Sequence, residues 1–393
     1  MMPYFPLTKA QQEWLERAEA LASDVLAPNA AETDRTGTFP KAQLDALREA
    51  GFFGLRADPA HGGAGEGLLT TCLVTEALAR ACPSTALIYK MHLESIEMVS
   101  RAPTPEQSEH VVPKLASGEW LSTVAGSEAG HQGGAWADAP KSTVDRVDGG
   151  YKVANIHKAF VTAAGIADSY FFMCRLEEEG QRPQQLMFQL RSDDLAWTVD
   201  EPWDGLGMRG NNSSPMSFDG FIPEARLINP DNQRVDFFPV VLGTYAATYL
   251  GIAAGCFDHL VAHITGSTLA DGRRMGDVET IQTRVANCKV EIERSRALLH
   301  AACAAFDEGR HGGPMPFYEA KVACDQLGAF VTGEAMTLGG GGAFAKRLPF
   351  ERYFRDARAG LVMGLAHDIA VLTIGKLLFP KPRPPKDAKD AKA

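Results

Sequence analysis

Glycine runs, a histidine pair and seven cysteines are the residues whose type and spacing first suggest chemistry. Glycine-rich loops bring backbone N–H groups against phosphates, but only at particular spacings. Gly62-Gly-Ala-Gly-Glu-Gly67 follows no strand and lacks the third glycine of GxGxxG, and Gly339 to Gly342 has no Lys-Ser/Thr behind it. Rossmann and P-loop readings therefore fall. The second run ends a helical pattern, and both a ligand-phosphate contact and a plain connection stay open for it. His259 and His263 share one helix face without an HExxH glutamate or a third ligand, so their spacing argues against a metal site. Cys72, Cys82, Cys174, Cys256, Cys288, Cys303 and Cys324 are odd in number and form no CxxC, which points to free thiols in a reducing cytoplasm. With no GxSxG and no Ser-x-x-Lys, hydrolase chemistry has no support.

The elements that must position any site change period twice. Helical spacing runs from the capping-box pattern Thr8 to Gln11 up to a stop at Pro28, resumes after Pro40, and continues through 68–81 and 86–99, the last apolar all round and so expected inside its domain. Short alternating segments at 151–156, 169–174, 185–190 and 216–221 then predict strands. Long helical patterns return through 240–269, 280–308, 316–338 and 366–378. The expectation is a multidomain α+β chain. An N-terminal all-helical domain (1–120) precedes a small β-barrel or sandwich domain (121–232), a C-terminal four-helix bundle (233–379) and a disordered tail (380–393). Of 393 residues, 39 are basic and 49 acidic, a net charge of −10 that argues against a nucleic-acid partner. The uncharged stretch from Phe237 to Phe257 is long enough to span a bilayer, but its alanines and glycines predict a closely packed internal helix without membrane insertion. No secretion signal is visible at the N-terminus, and export is not expected.

Local motifs add a family resemblance. Leu47-Arg-Glu-Ala-Gly-Phe-Phe-Gly-Leu55, His61-Gly-Gly-Ala-Gly65, Val112-Pro-Lys-Leu-Ala-Ser-Gly-Glu-Trp120 and above all Leu348-Pro-Phe-Glu-Arg-Tyr-Phe-Arg-Asp-Ala-Arg358 resemble the acyl-CoA dehydrogenase superfamily of flavoproteins over about residues 7 to 378. The resemblance implies FAD between the β domain and the bundle, a homodimer or homotetramer, an acyl-CoA or similar apolar substrate, and an electron-transfer flavoprotein or a flavin reductase as partner. It also implies flavin contacts at Val124 and Ser127, an aromatic wall and a hydroxyl at Phe160, Val161 and Thr162, and diphosphate or adenosine contacts at Arg273, Arg274, Gln282, Met336, Gly339 and Gly340. Arg209, in a Gly-x-Arg region, would lie near the substrate mouth. Departures cluster at the diphosphate: Gly133 stands where relatives have a serine, beside His131 and Gln132, and Met336 replaces a glutamine.

The resemblance also exposes a gap. Dehydrogenation needs a base for the α-proton while the β-hydrogen leaves as hydride. In relatives that base is a glutamate six residues beyond the position of Arg358, and here the position is Gly364, which would still border the substrate. The alternative position, in the stretch Pro239 to Tyr245, holds no acid either. Three readings follow. His367 or Asp368 serves as base, giving α,β-dehydrogenation. Alternatively, as in dibenzothiophene monooxygenase, His92 and Thr162 support oxygen chemistry on reduced flavin. The third is another CoA-thioester reaction, such as desulfination, or binding without turnover.

Overall fold

The computed structural model describes residues 6–130, 140–228, 237–310 and 312–380. Helices α1 (Lys9–Leu21), α2 (Ala27–Thr36), α3 (Lys41–Glu49), α4 (Leu68–Ala81), α5 (Pro83–Ser100), α6 (Pro105–His110) and α7 (Val112–Ser117) come first. Thr8 and Gln11 close the expected capping box on α1. Pro28 does not stop the chain as expected: one π-helical turn, Ala22–Leu26, carries it into α2, where Pro28 sits in the first turn and its missing N–H costs nothing.

Strands β1 (Ser122–Ala125), β2 (Thr143–Val147), β3 (Gly150–Val161), β4 (Ser169–Leu176), β5 (Gln184–Arg191), β6 (Leu195–Val199) and β7 (Ser214–Pro223) form a curled sheet in the order β1-β4-β2-β3-β7-β6, with β5 on β4. The chain then returns to helix through α8 (Phe238–Gly266), α9 (Glu279–Asp307), α10 (Met315–Phe344), α11 (Phe350–Ala357), α12 (Ala359–Val362) and α13 (His367–Leu378).

Helix α8 is long and apolar enough to cross a membrane, yet 94% of its most apolar window is buried. Its glycines explain how. A Cβ on Gly251 would stand 2.5 Å from the Glu76 carbonyl oxygen, and one on Gly255 would strike the Arg80 carbonyl, so both let α8 lie directly on α4. Helix α10 is interrupted at Gly340, whose φ of 54° and ψ of −139° are open to glycine. A Cβ on Gly339 would meet the Phe350 ring at 2.7 Å, so both glycines have a structural reason.

The motif most specific to the resemblance, residues 348–358, joins the three parts of the fold. Arg355 makes a fork onto Asp34 of α2 at 2.6 and 2.9 Å and a further bond to Glu351. Buried Asp356 accepts the Met208 N–H at 2.5 Å, and burial raises its carboxyl to about 7. Gly207 packs so tightly on the Arg355 backbone that a Cβ would come within 2.5 Å.

Candidate functional site

Strand β3 and the end of β1 build one wall. An isolated bridge pairs Ser127 with Phe160, and the Ala159 N–H donates to the Ser127 carbonyl at 2.8 Å. Buried Thr162 shares a 3.0 Å hydroxyl contact with Ser213, while Val124 and Val161 are buried beneath. Phe160 is 59% exposed, a large apolar ring uncovered beside two hydroxyls. An open aromatic face flanked by hydroxyl groups fits one face of a flavin ring.

The expected phosphate contacts are arranged differently. Arg273 and Arg274 are exposed and each is paired inside its own loop, with Asp271 and Asp277 respectively. Gln282 donates to the Gly276 carbonyl at 2.8 Å, and Met336 is half-buried on α10. His131, Gln132 and Gly133 lie outside the described residues, as does the stretch 381–393.

Around Gly364, where the resemblance leads one to expect the base, the structure leaves little room for a side chain. Gly364 has φ +74°, and a Cβ there would meet the Tyr245 ring at 2.8 Å. No side chain fits without displacing that ring, so the usual base position is closed as well as empty. Tyr245 is in turn held from two sides: its ring stacks on Tyr249 with centroids 6.1 Å apart, and Lys90 Nζ lies 2.9 Å from its centroid.

Two buried ion pairs flank this tyrosine stack. Lys90 donates to Glu94 Oε1 at 2.7 Å, and the Thr244 hydroxyl donates to the same oxygen at 2.7 Å. Burial drives both members of the pair toward neutrality, Lys90 down to about 8 and Glu94 up, with each charge holding the other back. On α10, Lys321 donates to Asp325 Oδ2 at 2.7 Å and to the Gly360 carbonyl, and burial raises Asp325 to about 6. All four charged side chains are fully buried.

Several expected site residues have other work. His92 accepts the Ser122 N–H at Nδ1 (3.0 Å) and donates from Nε2 to the Leu115 carbonyl (3.1 Å), and burial lowers it to about 3. Both nitrogens are spent tying α5 to β1 and α7, which removes it as a base or oxygen-chemistry residue. Arg209 is tied to the Asp34 and Gly205 carbonyls and to Asp204, which anchors its loop. Asp368 is exposed in the first turn of α13 and provides no cap. His367 places Nδ1 3.4 Å from Asp325 Oδ2 and Nε2 3.4 Å from Gln326, joining α13 to α10. His259 packs at a tilt against Tyr353 and His263 edge-on against Phe350, and no metal-holding group of His, Cys, Asp or Glu occurs among the described residues.

Comparison with known proteins places these features in context. Residues 8–119, 123–221 and 243–379 match the acyl-CoA dehydrogenase N-terminal, middle and C-terminal domains in turn. The chain is 28% identical over 369 residues to the short/branched chain specific acyl-CoA dehydrogenase of Bos taurus, covering 91% of this chain and 83% of that one. It is 25% identical over 371 residues to the 3-sulfinopropanoyl-CoA desulfinase of Paraburkholderia xenovorans, covering 92% and 93%. Among solved structures, butyryl-CoA dehydrogenase from Megasphaera elsdenii superposes with a TM-score of 0.88 at 22% identity, over 96% of this chain and all of that one.

Proposed function

The chain belongs to the acyl-CoA dehydrogenase family of flavin-dependent oxidoreductases, and on that premise we propose that it binds FAD and catalyses α,β-dehydrogenation of an acyl-CoA or similar acyl thioester. The observation that carries the cofactor reading is the uncovered Phe160 ring bridged to Ser127, beside the Thr162–Ser213 pair. A bound flavin supplies a two-electron hydride acceptor. Phe160 would cover one ring face, Ser127 and Thr162 would bond its polar edge, and Val124 and Val161 would exclude water beneath it. Because Arg273 and Arg274 already have carboxylate partners, the diphosphate relies on exchanging those exposed pairs, which are weakly held in water. Gly339 and Gly340, at the break in α10, would border the cofactor if it binds as in the family.

Dehydrogenation is favoured over oxygen chemistry because both ring nitrogens of His92 are bound to the backbone. In our reading the electrons pass to an electron-transfer flavoprotein. Exposed Phe344, Val290 and Phe330 on the C-terminal helices support assembly into a homodimer or homotetramer. Seven free, buried cysteines support a reducing compartment such as the cytoplasm. The test is product analysis. Incubating the FAD-loaded protein with a panel of acyl-CoAs and an electron acceptor should yield, for at least one, an enoyl-CoA lighter by two hydrogens in mass spectrometry. A panel returned unchanged would overturn the proposal.

A further inference from the structure

We propose that Glu94 on α5 is the carboxylate that removes the substrate's α-proton, replacing the base missing at Gly364. The inference rests on the dehydrogenase reading above and is carried by geometry. Thr244, which donates to Glu94, immediately precedes Tyr245, the ring that fills the space above Gly364. Lys90, which also donates to Glu94, covers that same ring. Glu94 therefore stands one side chain away from the closed base position. It is on the helix that packs against β1, where its neighbour Ser95 bonds Ser122 at 2.6 Å.

A second observation is independent of the first. Glu94 Oε2 has no hydrogen-bond partner although the residue is fully buried. An orphaned carboxylate oxygen inside a protein is costly, and such groups persist where function uses them. Glu76 Oε2 and Asp325 Oδ1 also lack a hydrogen-bond partner, but Glu76 Oε2 faces His300 Nε2 at 3.5 Å, and neither residue bonds the helical turn that carries Tyr245. Glu76 is held charged by Arg296 and His300, and Glu97 by Arg56 and Arg101. Asp356 accepts from Met208, and Asp325 Oδ1 is pressed to within 3.2 Å of where a Gly360 Cβ would lie. Burial also raises the basicity of Glu94.

In the step proposed, the Cα–H bond breaks and its proton goes to Glu94 Oε2. The released electron pair forms the Cα–Cβ double bond, while the β-hydrogen leaves with its electrons to the flavin. The thioester is oxidised and the flavin reduced by two electrons. Lys90 and Thr244 are positioning residues that fix Oε1 and leave Oε2 free.

Two readouts on the FAD-loaded protein test this. One is the rate of flavin reduction by an acyl-CoA. The other is exchange of the α-hydrogens of a 3-thia-acyl-CoA, which has no β-hydrogen to lose, into heavy water. Glu94→Gln keeps the Oε1 acceptor and should slow both by about 10²–10⁴-fold, with thioester binding retained and partial recovery in Glu94→Asp. Wild-type rates in Glu94→Gln, or the same loss appearing in His367→Ala and not in Glu94→Gln, would overturn the proposal while leaving the dehydrogenase reading standing. If the wild-type flavin is reduced by none of the acyl-CoAs, the dehydrogenase reading itself fails and this proposal with it. Should Glu94→Gln not retain flavin, Thr244→Val takes its place: it must slow both readouts, and unchanged rates overturn the assignment.

Discussion

Adding a single methyl group at Gly364 tests whether the usual base position is closed. Gly364→Ala must hold φ near +74°, a left-handed conformation that costs an L-residue about 1–2 kcal/mol. Its Cβ must also enter the space 2.8 Å from the Tyr245 ring. That ring cannot yield easily, because Tyr249 stacks on it and Lys90 covers it, so overpacking adds about 1–3 kcal/mol. The sum, about 2–5 kcal/mol, is readable by equilibrium urea unfolding. Tyr245→Ala removes the obstacle, so a double-mutant cycle should show Gly364→Ala costing about 1–3 kcal/mol less in that background. The cycle separates the steric part from the backbone part, which Tyr245→Ala leaves in place. A cost for Gly364→Ala within about 0.5 kcal/mol of zero, typical of an unconstrained surface site, would refute the argument.

Three further outcomes follow from the buried charges. His92 is neutral in the fold, with its folded value depressed to about 3, so its contribution is complete above the unfolded value near 6.5 and is lost as pH falls below it. Between about pH 7 and 5 the wild type should lose about 2 kcal/mol relative to His92→Asn in parallel urea titrations, and equal slopes would contradict this. Asp356 behaves oppositely: its folded value, raised to about 7, means stability present at low pH is lost as pH rises through 7. Asp356→Asn keeps an acceptor for Met208 N–H and should therefore stabilise the protein by on the order of 1 kcal/mol or more at about pH 8, measured as an upward melting shift that vanishes near about pH 4. Lys90→Met strands Glu94 without its cation and should destabilise by about 3–5 kcal/mol in urea unfolding, and a neutral result would mean the pair is dispensable.

Much of the fold was legible because local chemistry agreed with it. The Thr8–Gln11 capping box, the partial alternation of β3, the buried apolar run of β4 and the apolar spacing of α4 and α8 all appear where the residues predict. Three strands were not predicted. β1, β2 and β6 are 4 or 5 residues long, too short for a clear alternation; β1 also pairs far along the chain, Ser122 beside Ser169, whereas β2 turns straight back onto β3 with Val147 opposite Gly150. Ser127 and Phe160–Thr162, singled out by motif, are near neighbours through the sheet. The backbone partners of His92 and Arg209 were not legible, because no spacing in the sequence reveals them. Lys90 and Glu94 did leave a signal: an i, i+4 ion pair inside a helix expected to be buried on every face. A charge pair in that setting has no solvated side to occupy, and this is the feature that points to the site.

The central claim, oxidation of an acyl thioester by bound flavin, is tested most directly by anaerobic titration of the FAD-loaded protein with acyl-CoAs while following the flavin's visible absorbance. The account predicts stoichiometric bleaching by at least one of them. Tightly bound flavin that stays oxidised across the whole panel would contradict it.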